Sequence, residues 1–289
     1  MRELDALRKS KHRNLVGLLH HYREENGDLF IMLELCSHNL TKHVKMNGTF
    51  DESQLLDFLR QVAMGYGELR RNKIIHRDLK PGNILVSIKA GHTVFKLADF
   101  GLCRTEPAGM QSRAEMTAVG TFEFMAPEVF KGYLSNLESL LRGVSYGGVC
   151  LTAEFGPKAD VYAIALIAIY CLTGKIILPK DRDTAENSKE AVSTEIDSVR
   201  PKLSSILKGH LQKMLEFDPK DRMTDEEFLL HFGEFSITVA RNIVCFAPTA
   251  EMIVIADDEG HVCAFKDYQH ATMDHSHAIW QAKPFGANA

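Results

Sequence analysis

One segment, His76-Arg77-Asp78-Leu79-Lys80-Pro81-Gly82-Asn83, constrains this chain more than any other. It sets a carboxylate, an ammonium group and an amide close together. Between them stands a Pro-Gly pair that neither a helix interior nor a central strand accepts. Asp99-Phe100-Gly101 begins 21 residues after Asp78, and Glu128, closing Ala126-Pro127-Glu128, stands 29 residues after Asp99. The apolar pieces among these clusters, Ile74-Ile75, 84–86 and 94–97, are too short for helices and read as strands that carry charged loops at their ends. The main apolar mass has to lie elsewhere, and residues 161–172, the longest apolar run, read as a deeply buried helix.

Around that frame, Leu4 and Leu7 mark an initial helix, and residues 15–19 an extended run. Asn26-Gly27-Asp28 signals a hairpin turn into a strand over 29–35. Asp51 is placed to cap a helix whose apolar positions include Leu55, Leu59, Val62 and Leu69. Residues 104–128 read as a polar segment. Amphipathic helices are expected at 203–216 and 225–232, with the turn Asp218-Pro219-Lys220-Asp221 between them and Thr224 and Glu227 at capping-box spacing. Further on, 242–249 and 251–256 read as strands, 257–260 as a turn, 262–273 as a helix and 280–289 as a frayed tail.

With 289 residues, 45% hydrophobic and 25% charged, the composition excludes collagen-like and wholly disordered chains. Lys and Arg number 34 against 38 Asp and Glu, a net charge of −4 that offers no basic surplus for nucleic acid or an anionic membrane. The six cysteines form no C-x-x-C pair and read as reduced intracellular thiols. The N-terminus lacks an apolar signal region, and the longest apolar run is too short to span a bilayer. A soluble, cytoplasmic protein without a membrane span or a nucleic-acid partner is expected.

In this order and spacing, the three motifs resemble those of the protein kinases, over residues 1 to about 235. The resemblance implies an α+β, bilobal fold with a mainly helical C-lobe, ATP and Mg²⁺ as cofactors, and protein substrates as partners. Asp78 would accept the substrate hydroxyl proton and Lys80 would hold the γ-phosphate; a lysine there resembles the serine/threonine branch. Asn83 and Asp99 would be the metal ligands, since Mg²⁺ prefers oxygen. Glu3 stands where kinases carry the αC glutamate, and Leu7, Leu18, His76 and Phe100 stand at the positions of the hydrophobic spine. Glu34-Leu35-Cys36 resembles the hinge: the backbone of Glu34 and Cys36 would bond adenine, Leu33 would be the gatekeeper, and Leu85 would lie under the ring. Asp160 would hold the catalytic loop through backbone hydrogen bonds, and Arg222 would pair with Glu128. Arg77, just before Asp78, implies control by activation-loop phosphorylation, because the arginine needs an anion. Thr117 is the expected phosphosite, and Thr121 the threonine that bonds Lys80 and Asp78.

Met1-Arg2-Glu3-Leu4, His12-Arg13-Asn14-Leu15-Val16 and the spacing of Thr117 before Gly120-Thr121 resemble the IκB-kinase-related group, which includes TANK-binding kinase. That implies innate-immune or stress-type signalling, and a ubiquitin-like β-grasp domain starting over 236–279, followed by a tail at 280–289. Ala126-Pro127-Glu128 departs from that group's own form, and the autophagy-initiating kinases and the unfolded-protein-response kinase/ribonuclease are the alternative branches. Residues 1–35 contain no G-x-G-x-x-G and no V-A-I-K-like segment. The kinase domain over 1–235 is therefore expected to be incomplete, truncated before the αC helix, and the chain inactive or poorly soluble. Residues 141–154 look inserted. The alternative function is a non-catalytic short isoform acting as a binding or scaffold module for a kinase partner, through an adaptor or homodimer contact.

Overall fold

The structure, a computed structural model, describes residues 2–89, 91–105, 113–114, 122–141, 153–233 and six strands between Phe235 and Pro284. They divide into two compact units, Met1–Phe228 and Leu229–Ala289.

In the first unit, α1 (Arg2–Lys9) buries Leu4, Ala6 and Leu7. A hairpin of β1 (Leu18–Arg23) and β2 (Leu29–Leu33) follows, turning at Asn26-Gly27-Asp28. Gly27 sits at φ +93°, and the Asn26 side chain accepts from the Asp28 amide at 2.8 Å, the local bond that makes Asn a turn former. The strand starts later than expected: Leu15 instead bridges to Leu97, because Val16 N donates to Leu97 O and Leu97 N to Asn14 O, each at 2.9 Å.

Next come β3 (His38–Asn39), α2 (Leu40–Asn47) and α3 (Glu52–Arg71). Asp51 and Gln54 form a reciprocal capping box at the start of α3. The short strands are β4 (Ile74–Ile75), β5 (Ile84–Lys89), β6 (His92–Leu97), β7 (Arg104–Thr105) and β8 (Arg113–Ala114). Then follow α4 (Pro127–Leu141), β9 (Ala153–Glu154), α5 (Pro157–Thr173), α6 (Ala185–Ser198), α7 (Ser205–Met214) and α8 (Asp225–Phe232). Strands β3, β5 and β6 make one antiparallel sheet, β4 pairs with β7, and β8 with β9. Most of the suspected insert at 141–154 lies outside the described residues; its end, β9, is paired with Arg113–Ala114.

Helix α5 is apolar on every side, and each residue from Ala159 to Leu172 is buried, which makes it the centre of the core. Against it packs α3, which also carries β6. Where α1 runs into β1, the chain is stapled to this scaffold. Asn14 Nδ2 donates to Gln61 Oε1 at 3.0 Å and to Phe95 O at 2.8 Å, and Phe95 N donates to the same Gln61 oxygen at 2.9 Å. Only glycine lets the two backbones approach so closely: a Cβ on Gly65 would stand 2.5 Å from Asn14 O.

Past the last turn of α8, the described residues of the second unit are antiparallel strands: β10 (Phe235–Thr238), β11 (Ile243–Pro248), β12 (Met252–Asp257), β13 (Val262–Lys266), β14 (Tyr268–Asp274) and β15 (Ile279–Pro284). Two three-stranded sheets result, ordered β11-β12-β13 and β10-β15-β14. The helix expected over 262–273 is therefore two strands. Val262, Cys263, Phe265, Tyr268 and Thr272 suit a pleated surface, and β13 finds a full partner in β12, so pairing decides what local pattern left ambiguous. The tail expected to fray contains β15, paired on both sides. The strand–turn–strand–helix order anticipated here gives way to strands throughout the described residues. Among those residues no helix is long and apolar enough to cross a membrane.

Candidate active site

The loop after β4 takes its shape from the core helix. Asp160, in the first turn of α5, accepts the His76 amide at 2.8 Å and the Arg77 amide at 2.9 Å, one on each carboxylate oxygen. Arg77 is left-handed at φ +72°, as is Asp99 at φ +64°. Such conformations cost non-glycine residues on the order of 1–3 kcal/mol and persist where the surroundings dictate them.

The loop brings three of the sequence-predicted groups together. Lys80 Nζ stands 2.7 Å from Asp78 Oδ2. Asn83 Nδ2 donates to that oxygen at 2.8 Å and to the Asp78 carbonyl at 2.9 Å. Both amide hydrogens of Asn83 are thereby used, which fixes its orientation and leaves Oδ1 as an acceptor. The Pro81–Asn83 turn then leads into β5, so a strand end holds the cluster.

Asp99 follows β6 and is exposed, while Phe100 beside it is buried, its ring centroid 5.6 Å from that of His76. His76 Nε2 lies 3.2 Å from Ala98 O. A Cβ on Gly101 would lie 3.3 Å from Asp99 Oδ1, so a larger residue would crowd that carboxylate. Glu3 on α1 reaches the same region: burial first, then the charge of Asp99, raises its carboxyl above the ordinary range. An exposed carboxylate and an oriented amide oxygen form a donor set suited to a hard, oxygen-preferring cation such as Mg²⁺.

Of the spine positions, Leu7, His76 and Phe100 are buried and Leu18 is half-buried. At the expected hinge, Glu34 N donates to Gly17 O at 2.9 Å and Ser37 N to Val86 O at 2.8 Å. Leu33 is 36% exposed, Cys36 is half-buried, and Leu85 is the half-buried residue between the buried Ile84 and Val86. Glu128 and Arg222 meet in a two-pronged pair at 2.8 and 2.9 Å. The Arg77 guanidinium lies 5.5 Å from the centroid of the Phe155 ring. Thr117 and Thr121 lie outside the described residues.

Two residues were missed by sequence reasoning. Arg182, in the charged stretch Lys180-Asp181-Arg182-Asp183, is buried; it donates to Met125 O and Glu123 O at 2.6 Å each and to Ile177 O at 3.2 Å. It thus holds the approach to Ala126-Pro127-Glu128. Lys96 is also buried, and the signal was available: a single lysine in the otherwise apolar run Val94-Phe95-Lys96-Leu97.

Asp160 and His76 titrate in opposition. Burial pushes the Asp160 carboxyl up to about 6, while the amides of Arg77 and His76 hold it down. Burial pulls His76 down to about 4, with the charge of Asp78 acting the other way. The stability linked to His76 is full above its ordinary value of 6.5 and is lost as pH falls through 4. That linked to Asp160 is full below its ordinary 3.8 and is lost as pH rises through 6. The two therefore offset each other between pH 4 and 6. Asp160→Asn should unmask His76, so that stability climbs by on the order of 3 kcal/mol from pH 4 to 6.5 in urea titrations. Equal pH slopes in the variant and the unaltered chain would contradict this coupling.

The protein kinase domain profile matches residues 1–232. The serine/threonine-protein kinase ATG1b of Arabidopsis thaliana is 29% identical over 235 residues, covering 80% of this chain and 30% of that protein. The serine/threonine-protein kinase ULK1 of Homo sapiens is 29% identical over 240 residues, with 80% of this chain and 20% of that protein covered. The calcium/calmodulin-dependent protein kinase type 1 of Caenorhabditis elegans is 27% identical over 232 residues, with 79% and 60% covered. The chain thus spans between a fifth and three fifths of the length of these relatives.

Proposed function

The chain belongs to the protein kinase family, and from that premise we propose that it is a serine/threonine protein kinase that moves the γ-phosphoryl group of ATP to protein hydroxyls. The observation that carries this reading is the hydrogen-bonded cluster of Asp78, Lys80 and Asn83 on a loop templated by Asp160. Phosphoryl transfer asks a protein mainly for positioning and charge neutralisation. Asp78 accepts the proton of a seryl or threonyl hydroxyl and aligns its oxygen. Lys80, within 2.7 Å of Asp78, places a positive charge where the γ-phosphate arrives. Asn83 and Asp99 are the residues that would hold Mg²⁺, which when bound neutralises charge on the phosphates. The main chain of Glu34 and Cys36, with Leu33 and Leu85, forms the adenine site.

Regulation follows from Arg77: a phosphate on Thr117 supplies the anion that orders the activation segment, and Thr121 docks against Lys80 and Asp78. The assignment is held at the serine/threonine branch. The resemblance at His12-Arg13-Asn14-Leu15-Val16 points to IκB-kinase-related proteins, whereas the relatives reported above carry other names. The test is phosphoamino-acid analysis of a generic protein substrate after incubation with the chain, γ-labelled ATP and Mg²⁺. Label on serine and threonine is expected, and would also overturn the inactivity expected from the missing G-x-G-x-x-G and V-A-I-K-like segments of residues 1–35; label on tyrosine, or none, would contradict the reading.

A further inference from the structure

We propose that Lys96 is a positioning residue for nucleotide binding, one that sets the hinge against the floor of the adenine site; this rests on the kinase reading above. Lys96 is 4% exposed and is therefore out of reach of substrate. Its ammonium group stands 2.8 Å from Glu34 Oε1, 2.5 Å from Arg13 O and 3.3 Å from Leu15 O. The same Glu34 oxygen accepts the Gly17 amide at 2.7 Å, and Glu34 N returns a bond to Gly17 O at 2.9 Å. One carboxylate thus joins the hinge, the segment entering β1 and the strand β6, which runs on to Asp99 two residues past its end.

The register gives this tie its meaning. Lys96 on β6 lies directly opposite Leu85 on β5, and opposed residues of an antiparallel pair share a face. Lys96 therefore rises beside the residue proposed to underlie the ring and clamps the residue proposed to bond its edge. A buried lysine costs stability unless it is paired and hydrogen-bonded. The fold meets that requirement with a hinge carboxylate, although an apolar residue would fill the strand position at no such cost. What the ion pair adds is a fixed distance between the two sides of the adenine site.

Calorimetric titration of the full chain with Mg·ATP, and separately with adenosine, tests the idea on the unaltered chain, Lys96→Met, Asp99→Asn and the double variant Lys96→Met/Glu34→Gln. Lys96→Met should weaken ATP and adenosine alike, by about tenfold, the scale of one charged hydrogen bond. Asp99→Asn should weaken ATP and spare adenosine. The double variant, with no charge left unpaired, should regain the melting temperature of the unaltered chain while still binding both ligands weakly. Unchanged affinities in Lys96→Met, a loss confined to ATP, or recovery of binding together with melting temperature would each overturn the proposal and leave the kinase reading standing. An unaltered chain that binds neither ligand would overturn both.

Discussion

Asp78→Asn should lower kcat by roughly 10²–10⁴-fold, the usual contribution of a positioned proton acceptor, with the melting temperature unchanged. The substitution is isosteric. Asn83 and Lys80 now converge on Asp78 Oδ2, and an asparagine oxygen in the same place keeps both contacts. What disappears is the capacity to take a proton from a hydroxyl. The effect should therefore fall on turnover and not on KM for ATP, since the role proposed for Asp78 is toward the hydroxyl and not the nucleotide. Steady-state kinetics beside a thermal melt separate these outcomes. Retained turnover would mean that the loop geometry serves something other than proton acceptance; a collapsed melt would mean that Asp78 is a structural residue.

The second large effect is on stability. Arg222 has no exposed side-chain area, and it pairs with both oxygens of Glu128. Three carbonyls, of Glu216, Phe217 and Lys158, take its remaining donors, and its guanidinium lies 4.7 Å from the Tyr162 ring centroid. Glu128→Ala should cost about 3–5 kcal/mol in chemical denaturation, because it strands a buried cation. Arg222→Met should cost a similar amount through a stranded carboxylate and three orphaned carbonyls. The double variant Glu128→Leu/Arg222→Met should be less destabilised than the two losses added together, since the two side chains act as one unit. Strict additivity would show that the pair contributes nothing as a pair.

What the sequence made legible follows the range of the interactions involved. The cap at Asp51, the capping box of Thr224 and Glu227, the hairpin at Gly27 and the apolar sweep of α5 are local or continuous patterns, and pattern reading finds such features. The cluster of Asp78, Lys80 and Asn83 and the pairing of Glu128 with Arg222 both came through the family resemblance, carried by motif spacing. The misses share a cause. Nothing in the local sequence of Arg182 tells that residues 123–125 close over it, and the lone lysine of the apolar strand at Lys96 does not reveal that its partner is Glu34. Gly65 looks like a flaw in α3 until the Asn14 backbone lies against it. The short helix α2 follows a two-residue strand and begins at an Asn39 cap too slight to single out. The strands of the second unit were misread where an apolar stretch, short enough for either period, took its conformation from a partner strand.

The most direct test of the central claim is to incubate the unaltered chain and Asp78→Asn side by side with γ-labelled ATP, Mg²⁺ and a generic protein substrate, and to hydrolyse the products to amino acids. The account predicts phosphoserine and phosphothreonine from the first and essentially none from the second. Equal labelling by both, or none by either, would contradict it.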